Sequence, residues 1–153
     1  MRLISHRGNV DSIQPKRENT QEYIDEAIDA GFDVEIDIWG GEFSKFYFGH
    51  DKPEKEVGLY WLHNNKRFLW IHAKNFEALS LLSAYPYFRV FYHKTEDHVL
   101  ISNSDGLFWS HNLEEAEDRS IIPLLSEKEL LSYDKSKKVF GICSDFVGKY
   151  GKN

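Results

Sequence analysis

The chain has 153 residues, of which 41% are hydrophobic and 29% charged. That is the length of one domain, 1–153, with apolar residues enough for a packed core, and it excludes wholesale disorder. The 19 Lys and Arg against 25 Asp and Glu leave a formal net charge of −6, which disfavours nonspecific nucleic-acid or anionic-membrane binding.

The elements read in chain order as alternating strand and helix, the pattern of an α/β fold with a parallel sheet. Leu3 to Ser5 is a short apolar strand, followed by a polar loop from Gly8 to Arg17. Asn19 can cap a helix, with Glu22 three residues on, Tyr23, Ile24, Ala27 and Ile28 on one face, and Gly31 at its end. Val34, Ile36 and Ile38 then alternate with Glu35 and Asp37 in a strand, and Gly40-Gly41 marks a turn. Phe46 to Phe48 is extended, and Glu54 to Asn65 is ambiguous, with room for a helical turn around Tyr60 and Trp61. Phe68 to Ile71 reads as a buried strand, and Asn75 caps a helix that stops before Pro86. Arg89 to Tyr92, Val99 to Ser102 and Leu107 to Trp109 are strand candidates. Asn112 to Asp118 is an acidic turn or short helix. Ser120 to Leu125 is extended, Ser126 with Glu129 forms a capping box, and Val139 to Cys143 is the last strand.

The lone cysteine, Cys143, allows no intrachain disulfide and has no neighbour that would activate it, so it is expected to be a small core residue. The start Met1-Arg2-Leu3-Ile4-Ser5-His6 turns polar too early for a secretory signal, and no apolar run approaches the roughly 20 residues of a membrane span. A cytoplasmic protein with no membrane span is the expectation.

Chemistry concentrates in the first third. Glu35 and Asp37 are two apart on a strand and share a face, a costly arrangement unless a proton or cation relieves their repulsion. Oxygen ligands of this kind suit a hard cation. The competing reading is a solvated outer face of an edge strand. His6-Arg7-Gly8 follows the first strand and Gly49-His50-Asp51 the aromatic segment. Imidazole titrates near neutral pH and serves as acid or base, and a guanidinium fork holds phosphate oxygens.

These motifs resemble those of the glycerophosphodiester phosphodiesterases: His6-Arg7-Gly8, then Glu18-Asn19-Thr20, then Glu35-Ile36-Asp37, then His50-Asp51, with His50 13 positions after Asp37. The resemblance covers the first 51 residues or so and is loose beyond them. It implies a TIM-type (β/α) barrel, compact and at this length minimised or incomplete, since a full barrel takes roughly 250 residues. It implies a metal-dependent phosphodiesterase acting on a glycerophosphodiester or related small phosphodiester. His6 and His50 would be the acid/base pair, Arg7 and Lys74 would bind the phosphate, and Glu35 and Asp37 would hold a divalent metal (Mg, Mn or Ca). In the resembled family a Glu-x-Lys supplies a further metal ligand. Here the stretch is Ile71-His72-Ala73-Lys74, so His72 stands where the carboxylate is expected and shifts preference towards transition ions. Glu18 is expected to brace Arg7 and Asn19 to cap the helix. Of the remaining signals, His93 is a strand-end residue within reach of the site, Trp109 a core aromatic, and His63 and His111 solvated. The alternative function is a noncatalytic phosphate-ligand-binding protein on a degenerate barrel.

Overall fold

A computed structural model describes residues 1–151. Among these the order is β1 (Arg2–His6), α1 (Gln21–Asp29), β2 (Asp33–Gly40), β3 (Phe46–Phe48), β4 (Lys55–Val57), α2 (Leu59–Asn65), β5 (Leu69–Ala73), α3 (Phe76–Ser83), β6 (Val90–Phe91), β7 (His98–Leu100), β8 (Phe108–Ser110), β9 (Ser120–Pro123), α4 (Glu127–Ser132) and β10 (Gly141–Ser144). The fold is mixed α/β, built on a ten-stranded sheet. No described helix is long and apolar enough to cross a membrane.

The sheet has a parallel run, β6-β5-β2-β1-β10-β9-β8, with β7 antiparallel on the edge of β8. Period-two alternation sorts its two faces. Val34, Ile36 and Ile38 of β2 and Leu69, Ile71 and Ala73 of β5 pack outward, in one cluster with Ile24, Ala27, Ala78 and Leu82 of the helices. Ile4, Trp70, Phe91, Trp109, Ile121 and Cys143 face the other way and pack on one another. Strands from the two ends of the parallel run share this inner cluster, so the sheet is strongly curled. Phe91 of β6 stacks on Trp109 of β8 with centroids 4.4 Å apart.

The sheet is not closed. Among the described residues no ladder joins β6 to β8, and a single antiparallel bridge between Val90 and Ser102 spans the seam. Of the expected TIM-type barrel, compact and at this length minimised or incomplete, the strand pairing gives the mixed α/β sheet without closure. The connections explain why: β6 passes to β8 through edge strand β7, and β8 passes to β9 through an irregular acidic stretch, neither carrying a crossover helix.

Local signals account for most element boundaries. Asn75 caps α3 by accepting from the Ala78 N–H, and Ser126 with Glu129 forms the capping box of α4. At α1 the cap is Thr20, whose hydroxyl accepts from the Tyr23 N–H, and Asn19, the expected cap, is used elsewhere. The ambiguous stretch after Phe48 resolves into β4 and α2. At the N-terminal end of the inner face, Trp70 Nε1 donates to Asp33 at 3.0 Å while the Arg89 guanidinium lies 3.8 Å above the indole. The buried carboxylate is thus satisfied.

Candidate active site and metal centre

Glu35 and Asp37 lie on the inner face of β2, which is flanked on both edges by β1 and β5. Both are buried, so the outer-face reading of the Glu-x-Asp strand is excluded. Parallel register sets their neighbours: His6 pairs with Glu35, and Asp37 with His72. His72 and Trp70 share the inner face of β5 by the same period-two rule.

His50 arrives by a route a plain β/α repeat does not have. β1 occupies one edge of β2 only as far as Glu35, and β3 pairs with β2 from Ile38 to Gly40 in the antiparallel sense. The chain therefore runs back along β2 and delivers Gly49-His50 beyond the end of β1. Gly49 has φ 149°, and a Cβ there would run into the Lys52 carbonyl. Its own carbonyl accepts from Trp39 Nε1 at 2.7 Å, which fixes the turn.

Asp37 is the hub. Arg7 Nε lies 2.8 Å and His50 Nδ1 3.3 Å from its Oδ2, and His72 Nδ1 lies 3.1 Å and Lys74 Nζ 3.4 Å from its Oδ1. Asn19 completes the clasp, donating from Nδ2 to Oδ2 and accepting the Asp37 backbone N–H through Oδ1, both at 3.0 Å. Asn19 and Arg7 both sit in the left-handed region, φ 52° and 55°. The Arg7 N–H donates to the Glu35 carbonyl and its own carbonyl accepts from the Asn19 N–H. Asn tolerates this conformation, whereas at Arg7 it costs about 1 kcal/mol and is held by those bonds.

A second chain of contacts orients His6. Its Nδ1 is 2.8 Å from Asp145 Oδ1, which also accepts from Asn9 at 2.7 Å. Asn9 also donates to Glu18, which in turn accepts from Arg7 at 3.3 Å. Glu18 thus braces Arg7, as expected. His6 Nε2 faces Glu35 Oε2 at 3.8 Å. Asp145 lies just past β10, where the closing Cys143-Ser144-Asp145 also resembles the end of the last strand in the glycerophosphodiester phosphodiesterases, and no local signal ties it or Asn9 to His6.

Electrostatics separate the two acids. Burial and the adjacent Asp37 push Glu35 above the usual carboxylate range. Burial acts the same way on Asp37, but hydrogen bonds with His50 and His72 and the charges of Arg7 and Lys74 overcome it and hold Asp37 well below that range. Burial opposes protonation of His6, yet the bond to Asp145 and the charge of Glu35 outweigh it, and its pKa is raised. Burial also lifts the Cys143 thiol well above its ordinary value, which leaves it an inert core residue.

Could these residues hold a metal? Glu35, Asp37 and His72 each offer a ligand atom, and the three atoms lie within 4.8 Å of one another. Glu35 Oε2 is buried without a hydrogen-bond partner, a costly state that a cation relieves, and Asp37 Oδ1 beside it is met by the His72 imidazole and the Lys74 ammonium. Two carboxylates and one imidazole suit Mn²⁺ or a similar ion as well as Mg²⁺. The residues present fit a divalent cation.

His6, Arg7, Glu35, His50 and His72 line a single cavity of about 280 Å³, with Phe91, His93, Trp109 and His111 as its far wall. His93 reaches the site and stacks on His72. Burial, then the neighbouring His72, His111 and Lys74, press its pKa down to about 4. Trp109 serves both core and wall. His111, expected to be solvated, is exposed but packs its ring on His93 at 4.4 Å, and His63 packs edge-on against Tyr87. A larger cleft of about 620 Å³, lined by His98, Phe108, Glu115 and Arg119, lies on the outer side of β8 and β9, away from the Glu35–Asp37 pair.

Comparison of the chain with protein-family models, with curated proteins and with solved structures returned no match.

Proposed function

We propose that the protein is a metal-dependent phosphodiesterase acting on a small phosphodiester, a glycerophosphodiester or a relative of one. The observation that carries this reading is one cavity lined by two imidazoles, His6 and His50, a guanidinium, Arg7, and by Glu35 and His72, whose ligand atoms converge with that of Asp37 behind them. A noncatalytic phosphate binder has no use for a second proton-transfer group. The order of motifs shared with glycerophosphodiester phosphodiesterases supports the same conclusion.

Glu35, Asp37 and His72 would hold the cation. Bound there, it supplies Lewis-acid stabilisation of charge on a phosphoryl oxygen. Arg7, which lines the cavity and is fixed by Glu18, by Asp37 and by His50 Nδ1 2.6 Å from its Nη2, would orient the phosphate through its guanidinium. Lys74 adds positive charge on the same side. His6 donates from Nδ1 to Asp145, which leaves Nε2 to exchange a proton with a reacting oxygen. His50, half exposed, is the second proton carrier and can recover its state from solvent. The Asp145 and Asn9 contacts orient His6, an arrangement that supplies geometry before chemistry begins.

The test is a turnover screen over small phosphodiesters with Mg²⁺, Mn²⁺ and Ca²⁺, scored by released alcohol. Metal-dependent turnover abolished by chelation is expected. Saturable binding of a diester with no turnover under any of the metals would refute catalysis and identify the noncatalytic phosphate-binding protein instead.

A further inference from the structure

His72 has an unusual seat. Its ring lies parallel to those of Phe91 in β6 and His93 two residues beyond it, with centroids 5.1 Å and 4.4 Å away and interplanar angles of 3° and 7°. Phe91 and His93 are nearly coplanar with each other in orientation, at 4°. Each is backed in turn from across the open seam, Phe91 by Trp109 and His93 by His111. The buried His72 therefore rests against a two-ring wall, and its Nδ1 edge points at Asp37 Oδ1, 3.1 Å away. Phe91 supports the base of that wall and His93 the end nearer the carboxylates' strand terminus.

The converging ligand atoms are those of Glu35, Asp37 and His72, without a contribution from His93. A metal-ligating imidazole is commonly oriented by a hydrogen bond to its second nitrogen. Among the described residues no such acceptor contacts His72. Orientation comes from ring contacts, which are worth a modest amount each and act together.

We propose that His93 is a positioning residue which holds the His72 ring flat and aims its nitrogen at the Glu35–Asp37 pair for metal binding. This rests on the metal-centre reading above and goes beyond it, because it assigns the third ligand's orientation to a residue that supplies no ligand atom of its own. It requires a flat ring at position 93 and no particular ring atom.

The experiment measures Mn²⁺ binding to the full chain by the free-ion electron paramagnetic resonance signal, with nitrogen coupling to bound Mn²⁺ read by electron spin echo modulation. His93→Ala is expected to weaken Mn²⁺ binding on the order of tenfold, within the range for groups behind a ligand, and to reduce the nitrogen coupling. His93→Phe, which keeps the flat ring, should bind within about twofold of the wild type with the coupling intact. His93→Leu fills the volume without a flat ring and should behave like His93→Ala, which keeps the test available if the smaller variant fails to fold. His93→Phe as weak as His93→Ala would overturn the proposal, since a ring nitrogen would then be needed. So would a His93→Ala or His93→Leu protein with lowered thermal stability but unchanged Mn²⁺ affinity, the mark of a purely structural role. Failure of the underlying reading looks different: a wild type that binds no Mn²⁺, or a His72→Ala variant with wild-type affinity and nitrogen coupling, removes the metal centre and this proposal together.

Discussion

Replacing Asp145 by Asn should lower the pKa of His6 by about one to two units. The carboxylate accepts from His6 Nδ1 at 2.8 Å, with 12% of the His6 side chain and 7% of the Asp145 side chain exposed. A hydrogen bond between charged partners in such a setting is worth about 1.5–3 kcal/mol. At about 1.36 kcal/mol per pKa unit, removing the acceptor's charge gives the stated shift. The sign of the stability effect follows. The folded pKa of His6 is raised, so its protonated form stabilises the fold below the unfolded histidine value of about 6.5, and that contribution fades as pH rises through the folded value. The variant's deficit in unfolding free energy should therefore be larger at about pH 5.5 than at about pH 8.5. Imidazole Cε1–H shifts followed by NMR titration give the pKa, and urea denaturation at the two pH values gives the deficit. A His6 that titrates at its wild-type position in Asp145→Asn, or a deficit independent of pH, would refute the reasoning.

Other outcomes follow from the same contacts. His6→Ala and His50→Ala should each lower turnover about 10²-fold or more with the circular dichroism unchanged, and the double variant should lose less than the product of the two; near-normal turnover in either single variant removes that residue from the chemistry. Asn19→Ala deletes both bonds to Asp37 and puts Ala at φ 52°, so a loss of about 2–4 kcal/mol in urea unfolding is expected, and a loss under about 0.5 kcal/mol would contradict the clasp. His72→Glu should move metal preference in thermal-shift titrations from Mn²⁺ towards Mg²⁺ or Ca²⁺, and an unchanged order excludes His72 as a ligand. His93, neutral in the fold down to about pH 4, takes up its proton near about 6.5 when unfolded. The metal-free protein should therefore lose stability as pH falls between these values, by on the order of 1 kcal/mol after screening of a partly exposed ring, and His93→Phe should lose less.

Period-two alternation made the inner face of β2 legible from residues alone: Val34, Ile36 and Ile38 had to oppose Glu35 and Asp37, and burial of the acids follows once β2 is flanked on both edges. The same rule puts Trp70 and His72 together on β5. Asn19 and Thr20 show where local reading stops. Both are good cap residues, and what decides between them is Asp37, 18 positions away. Asn9 and Asp145 are further apart still, 136 positions, and their bond forms only because β10 lies beside β1. The reversal at β3 was hidden because Phe46–Phe48 and Lys55–Val57 are too short to signal direction. The open seam was hidden because β6 has two ladder residues and no sequence pattern records a missing pairing.

That seam gives the cavity one compliant side. Its near wall is laddered backbone, β1 against β2 against β5, and cannot widen without breaking hydrogen bonds. Its far wall spans β6 and β8 through ring contacts, Phe91 on Trp109 and His93 on His111, with the Val90–Ser102 bridge in place of a ladder. Side-chain rotation is fast and local compared with strand separation, so the pocket can enlarge on that side while Glu35, Asp37 and His6 keep their places. Amides bordering the seam should accordingly exchange with solvent through smaller openings than those of β1 and β2, and the alcohol group of a bulky ester has a direction in which to be accommodated.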